Sequence, residues 1–152
     1  MKYIKYSIIG IVIILLIIPF TRVEKDIPIN SFNKTVTKNV DKNIVSKVDI
    51  NKVRQLYKIS KNSVESFIAY EPTNFMSVEE IVIMRQTNSD IRKQLLESAN
   101  NHIKSQIKAF EGYGVKQTKL LKKAEVFEKG NYVIVIVDNK SRDIKNELEA
   151  CF

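Results

Sequence analysis

Hydrophobic positions along this chain change period repeatedly, and each change marks a predicted element. From Tyr6 to Phe20 the run is apolar on every side, broken only by Ser7 and Gly10. Through residues 22–47 the apolar residues thin out to Phe32, Val36, Val40 and Ile44, four positions apart among Asn, Lys, Thr and Asp, with Pro28 interrupting. That spacing allows a weak amphipathic helix. β-Branched residues and the four asparagines Asn30, Asn33, Asn39 and Asn43 lower its propensity, so the segment is expected to be a polar tether, helical or disordered.

Patterning sharpens from Asp49. Asp49 or Asn51 is placed to cap a short helix whose Val53, Leu56 and Tyr57 share one face. Lys61–Ser63 breaks it. Residues 64–70 alternate as a strand, and Glu71-Pro72-Thr73-Asn74 reads as its turn. Ile81–Met84 is a continuous apolar run, the mark of a strand that is central or covered on both faces, although Ser77 and Glu80 are also spaced as a capping box. A long helix follows, capped by Asn88, Ser89 or Asp90, with Ile91, Leu95, Ala99, Ile103, Ile107 and Phe110 in one stripe. Gly112 and Gly114 end it.

After a short helical or irregular piece near Val115–Leu121, residues 124–128 and 131–138 read as strands joined through Lys129-Gly130. Tyr132–Val137 is expected to be the most buried of all. Ser141 or Asp143 starts a closing helix with Ile144, Leu148, Cys151 and Phe152 on one face, and Cys151 reads as a small apolar packer. The order predicts an α+β domain: a four-stranded, mostly antiparallel sheet with helices packed on one face, preceded by a single N-terminal transmembrane helix. The domains expected are a membrane anchor over 1–21, a polar tether over 22–47 and an α+β extracytoplasmic domain over 48–152.

Three readings of the opening run compete: a cleaved secretory signal, a retained single-span anchor and a buried helix of a soluble domain. A soluble core helix carries a polar face, which this run lacks. As a helix, Tyr3–Phe20 is roughly 27 Å long at about 1.5 Å per residue, just under a hydrocarbon thickness of about 30 Å, and Lys5 and Arg22 can snorkel across the difference. The exit, Ile17-Ile-Pro-Phe-Thr-Arg22, offers no small pair for a signal peptidase. A retained anchor is therefore the expectation. The short basic head, Lys2 and Lys5, places the N-terminus in the cytoplasm and the domain outside.

Charge changes this picture little. The net +8 is spread along the chain, with six cations against three anions over residues 21–47 and 17 against 14 over residues 48–152. No domain-wide basic field results, so nucleic acid is not an expected partner. The densest cationic spot is Lys116, Lys119, Lys122 and Lys123. Lys116, Lys119 and Lys123 would share one helical face, read here as solvated.

Candidate chemistry is sparse. The single cysteine, Cys151, permits neither an internal disulfide nor a cysteine-based zinc site. His102, the single histidine, sits at the edge of the long helix's apolar stripe and reads as a packed or surface residue rather than a ligand. Glu79 and Glu80, adjacent in a strand, point to opposite faces, and no meeting of distant carboxylates such as Glu71 and Glu111 can be read from spacing. Gly112-Tyr113-Gly114 follows a helix instead of opening one, so it is no phosphate loop. Gln106 lies mid-stripe, as a ligand contact or a core amide. With Tyr57, Tyr113 and Tyr132 it makes up the candidate contact residues, each tyrosine serving equally well as buried-edge packing. No catalytic residue, cofactor or metal is expected.

Val53-Arg-Gln-Leu-Tyr57, Glu80-Ile-Val-Ile-Met-Arg85, Gln106-Ile-Lys-Ala-Phe-Glu-Gly-Tyr113 and Gly130-Asn-Tyr-Val133 together bring a resemblance into view. From about Val48 onward the chain resembles a family of small bacterial extracytoplasmic proteins, common in Gram-positive anaerobes and known as domain of unknown function four-three-five-eight. Many members look like lipoproteins. This chain lacks the lipidation cysteine, which implies anchoring by the helix instead. The resemblance implies a fold and a location, not an activity. The expected function is that of a non-catalytic binding or accessory module of the cell envelope, held in the membrane by its helix, with another envelope protein or an anionic wall polymer as partner. The alternative is an envelope-acting hydrolase or transferase using dispersed carboxylates.

Overall fold

The structure, a computed structural model, describes residues 26–152. The anchor expected over 1–21 lies outside the described residues, and among those described no helix is long and apolar enough to cross a membrane. The fold is α+β. A 3-10 turn over Ile29–Phe32 runs into α1 (Asn33–Asn39), followed by β1 (Val45–Lys47), α2 (Ile50–Tyr57), β2 (Ser66–Pro72) and β3 (Glu80–Arg85). The long helix α3 (Ser89–Phe110), the short α4 (Val115–Leu121), β4 (Glu125–Lys129), β5 (Tyr132–Val137) and α5 (Ser141–Glu149) complete it.

Five antiparallel strands form one sheet in the order β1-β2-β3-β5-β4. The strand beyond the expected four is β1, cut from the supposed tether, with Val45 opposite Pro72 and Lys47 opposite Tyr70. β3 is central, as its uninterrupted apolar run predicts, and every residue of β5 is buried. Gly130, at φ +56°, makes the β4–β5 hairpin turn where a side chain would be strained.

Helices cover both faces, not one. On the first face Ala69, Val82, Met84, Val133 and Val135 pack under α2, α3 and α4 through Val53, Leu95, Ala99, Ile103 and Leu120. On the second, Ile68, Ile81, Ile83, Ile134 and Ile136 pack under α1 and α5 through Phe32, Val36, Ile144 and Leu148. Side chains alternate across a strand, so a strand apolar at every position must be covered twice, and the stretch expected to be a tether supplies half of the second cover. Phe32 and Val36 are fully buried, and Phe32 lies edge-on to Tyr132 with ring centroids 5.0 Å apart. Cys151 and Phe152 pack against this second face. The segment over 26–47 is thus an integral part of the domain. Its helical alternative holds, because the face that looked too weak to stand alone has a partner.

Local chemistry accounts for the helix ends. Asp49 caps α2 by accepting from the Lys52 N–H at 3.0 Å, and Asn88 caps α3 by accepting from Asp90 and Ile91 at 2.9 and 3.1 Å. β2 extends past the turn expected at Glu71-Pro72, which moves to Thr73–Ser77. There Asn74 Oδ1 accepts from the N–H groups of Met76 and Ser77. The Ser77–Glu80 capping box does not form, since Glu80 opens β3.

Candidate functional site

Two places in the domain concentrate chemistry. The first is buried. Tyr70 pairs with Ile81, so the next step of that register sets Glu71 of β2 beside Glu80 of β3, on the face that also carries Ala69 and Val82. Both glutamates are 3% exposed. Tyr57, at the end of α2, and His102, in mid α3, close over them, their rings 4.5 Å apart. His102 Nε2 lies 3.2 Å from Glu80 Oε2.

Burial shapes the electrostatics here. Loss of water, then the charge of Glu80 opposite, push the Glu71 carboxyl up to about 9 from an ordinary 4.5. Tyr57 is pushed well above its usual value, chiefly by burial and then by Glu80 and Glu71. Burial pulls His102 down, but acceptance by Glu80 and by the Leu56 carbonyl outweighs it, and its pKa rises. Tyr57 Oη, Glu71 Oε1 and Glu80 Oε1 are buried without a partner in hydrogen-bond geometry. A proton on Glu71 resolves part of this, because a neutral carboxyl can donate to Glu80 where two carboxylates only repel. Tyr57 and His102 separate the two carboxylates from a cleft of about 130 Å³ between α2 and α3, also bordered by Leu56, Ser98, Asn101 and Ser105. Among the described residues no group of three or more His, Cys, Asp or Glu side chains is placed to hold a metal ion.

The second place is exposed. At the Glu80 end of the sheet the β2–β3 loop meets α4, where Gln117 Nε2 donates to the Met76 carbonyl at 2.7 Å. Between them lies an open groove of about 420 Å³, floored by Val78 and Leu120 and edged by Met76, Lys116, Lys119 and Lys123. Shallower depressions of about 490 Å³ continue it on either side, one toward Arg142, the other past Val115 and Lys122. Phe75 at 98% exposure, Val115 at 81%, Tyr113 at 67% and Met76 at 59% are the large exposed hydrophobic residues of the described chain, and all four belong to this end.

Of the four sequence-predicted contact residues, the structure brings no set together. Tyr57 is buried in the acid cluster, Tyr132 is buried on the opposite face with its hydroxyl donating to the Ile27 carbonyl, and Gln106 is half-buried on α3. Tyr113 is exposed beside the groove and rests on Phe110. The core amide that steadies a loop is Gln86, not Gln106: its Nε2 donates to the Ser63 carbonyl at 3.1 Å and its Oε1 accepts from the Asn88 N–H at 3.0 Å. Glu71 meets Glu80 rather than Glu111, which is exposed. The lysines of α4 are solvated as read; the groove they edge was not legible, because half of it belongs to a loop forty residues earlier.

A five-stranded antiparallel sheet clad in helices on both faces, with a buried acid cluster and an open basic end, defines a small α+β domain. The chain belongs to the family described as Domain of unknown function (DUF4358), whose model matches residues 38–138. No curated protein and no solved structure matches it.

Proposed function

We propose that this protein is a single-pass membrane protein, its N-terminus in the cytoplasm and its folded domain outside, that serves the cell envelope as a non-catalytic binding or accessory module. The apolar run Tyr6–Phe20, basic on its cytoplasmic side and without a cleavage pattern, supports the anchor. The observation that carries the binding role is the groove at the Glu80 end, where exposed Met76 and Val115 border lysines that have no ion-pair partner among the described residues, with exposed Phe75 next to Met76 in the same loop. Scattered single apolar residues on a surface need no explanation, but four gathered at one end mark an interaction site. Another envelope protein or an anionic wall polymer is the partner of this surface.

Convergence of Glu71, Glu80 and His102 favours a second reading, an envelope-acting hydrolase or transferase. Its groups sit behind a cleft of about 130 Å³, smaller than the 300–1,000 Å³ of typical ligand pockets (about that range), which supports the non-catalytic reading. Protease shaving of intact cells tests the topology: the lysine-rich domain is expected to be cut without lysis. Resistance until lysis would reverse the orientation, and mature chain in the culture supernatant, trimmed near Thr21, would remove the anchor.

A further inference from the structure

We infer that the groove between the β2–β3 loop and α4 binds a linear polyanion of the cell envelope, and that it faces away from the membrane that holds the chain. The direction follows from where the chain enters the fold. Asp26 is held by Arg85 Nη2 at 2.6 Å and by Asn131 Nδ2 at 3.3 Å, both at the Arg85 end of the sheet. Phe75, Met76 and α4 lie at the other end of β3, whose six residues separate the two by roughly 17 Å at about 3.3 Å per residue. The six Cα steps from Phe20 to Asp26 span at most about 21 Å. The described chain thus enters the fold at the end of the sheet opposite the groove, which leaves the groove free to face away from an anchor preceding it. This step rests on the anchored reading above; the ligand chemistry does not.

Charge identifies the class of ligand. Among the described residues Lys116, Lys119, Lys122 and Lys123 have no ion-pair partner within 4.0 Å. Carboxylates also border the surface, Glu79 in the groove and Glu111, Glu125 and Asp138 in the flanking depressions; Glu125 is paired with Lys145 at 3.0 Å, which leaves the four lysines in excess over Glu79, Glu111 and Asp138. The lysines are strung out rather than convergent. Lys116 and Lys119 are about 4.5 Å apart along α4 at a helical rise of about 1.5 Å per residue, and Lys122 and Lys123 continue the row in the turn beyond its end. A compact anion needs donors aimed at one point; a row of cations along an open groove suits a chain carrying a charge at each repeat. Met76 and Val115 beside that row offer apolar contact to the uncharged part of the repeat unit. A lipid surface would use the same charges and tips, but the membrane at hand lies at the opposite end.

The test uses the full chain in phosphatidylcholine nanodiscs, titrated with polyglycerol phosphate at 50 and 200 mM salt. Binding is expected to weaken steeply with salt, and Lys116→Glu/Lys119→Glu/Lys123→Glu is expected to weaken it at least tenfold. The matched triple Lys93→Glu/Lys104→Glu/Lys108→Glu on α3 changes net charge equally and should cost less than twofold, with circular dichroism confirming that both variants fold. Equal losses in the two triples, or no binding by the folded parent, overturn the inference. So does tighter binding to phosphatidylglycerol vesicles or duplex DNA than to polyglycerol phosphate. Chain released from cells yet retaining groove-dependent polymer binding would sink the anchored reading alone.

Discussion

His102 Nε2 stands 3.2 Å from Glu80 Oε2, both side chains buried, linking the middle of the long helix to the first residue of the central strand. The pair is more than a tie between layers. Glu80 also faces Glu71 and Tyr57, so the state of one carboxylate sets the protonation of its neighbours.

Stability is expected to fall as pH rises from about 5 toward about 9. Over that window the unfolded chain has released the Glu71 proton, at an ordinary 4.5, while the folded chain keeps it until about 9; the folded state binds more protons, and rising pH works against it. His102, also raised, acts in the same direction above 6.5. Glu65, which accepts from Thr87 and is lowered, loses its contribution only on the acid side of 4.5 and leaves the window clear. Urea midpoints at pH 5.5 and 8.5 check this. Glu71→Gln, neutral at every pH, should flatten the dependence and raise the midpoint at pH 8.5; a parent midpoint independent of pH between these values would rule out a protonated Glu71.

Removing both partners of the buried pair should cost less than the two single removals added together. Glu80→Gln or His102→Leu alone leaves a desolvated group unpaired, at about 3–5 kcal/mol. The double variant is expected to cost less than the sum, with a coupling of about 1–3 kcal/mol by a double-mutant cycle in urea. Additive losses would mean that the two side chains merely pack.

Phe32→Ala is expected to destabilise the domain by about 3–5 kcal/mol, the range for a large aromatic residue deleted from a core. Lys34→Ala, two residues along the chain and exposed, should stay within about 0.5 kcal/mol. A tether would tolerate both. Equal, negligible shifts in thermal midpoint would return residues 26–47 to that role.

The two glycines after α3 should respond for different reasons. At Gly114 an added Cβ would lie 2.5 Å from Phe110 Cδ1 and 3.0 Å from its Cβ, so the ring must move, and Gly114→Ala is expected to cost about 1–3 kcal/mol. Gly112 has open space around it but φ +93°, so Gly112→Ala should cost about 1 kcal/mol through backbone strain alone. Tyr113 fluorescence separates the cases, shifting with the displaced Phe110 ring in the first variant only.

The second helical layer was announced by residues whose meaning went unused. Ile81–Met84 and Tyr132–Val137 are apolar on both faces, which demands two covers; Phe32, Val36 and Val40, spaced as one helical stripe, were the remaining cover. Read one segment at a time, α1 looks too weak to fold, because its stability comes from the sheet and not from propensity. The acid cluster was illegible for a similar reason. Glu71 sits before Pro72 in what local rules score as a turn, and only its pairing with Ser46 of β1 keeps it in strand conformation.

Caps, helical stripes, strand runs and the hairpin at Gly130 are set by neighbours within a few residues, so the sequence alone determined the elements of this protein, its family resemblance and its apolar opening run. Which face each element covers, the meeting of Glu71, Glu80 and His102 across 22 and 31 residues of chain, and the union of the Met76 loop with the lysines of α4 were decided by tertiary packing. Register and layer order depend on the summed burial of distant surfaces, and no local period along the chain encodes that sum.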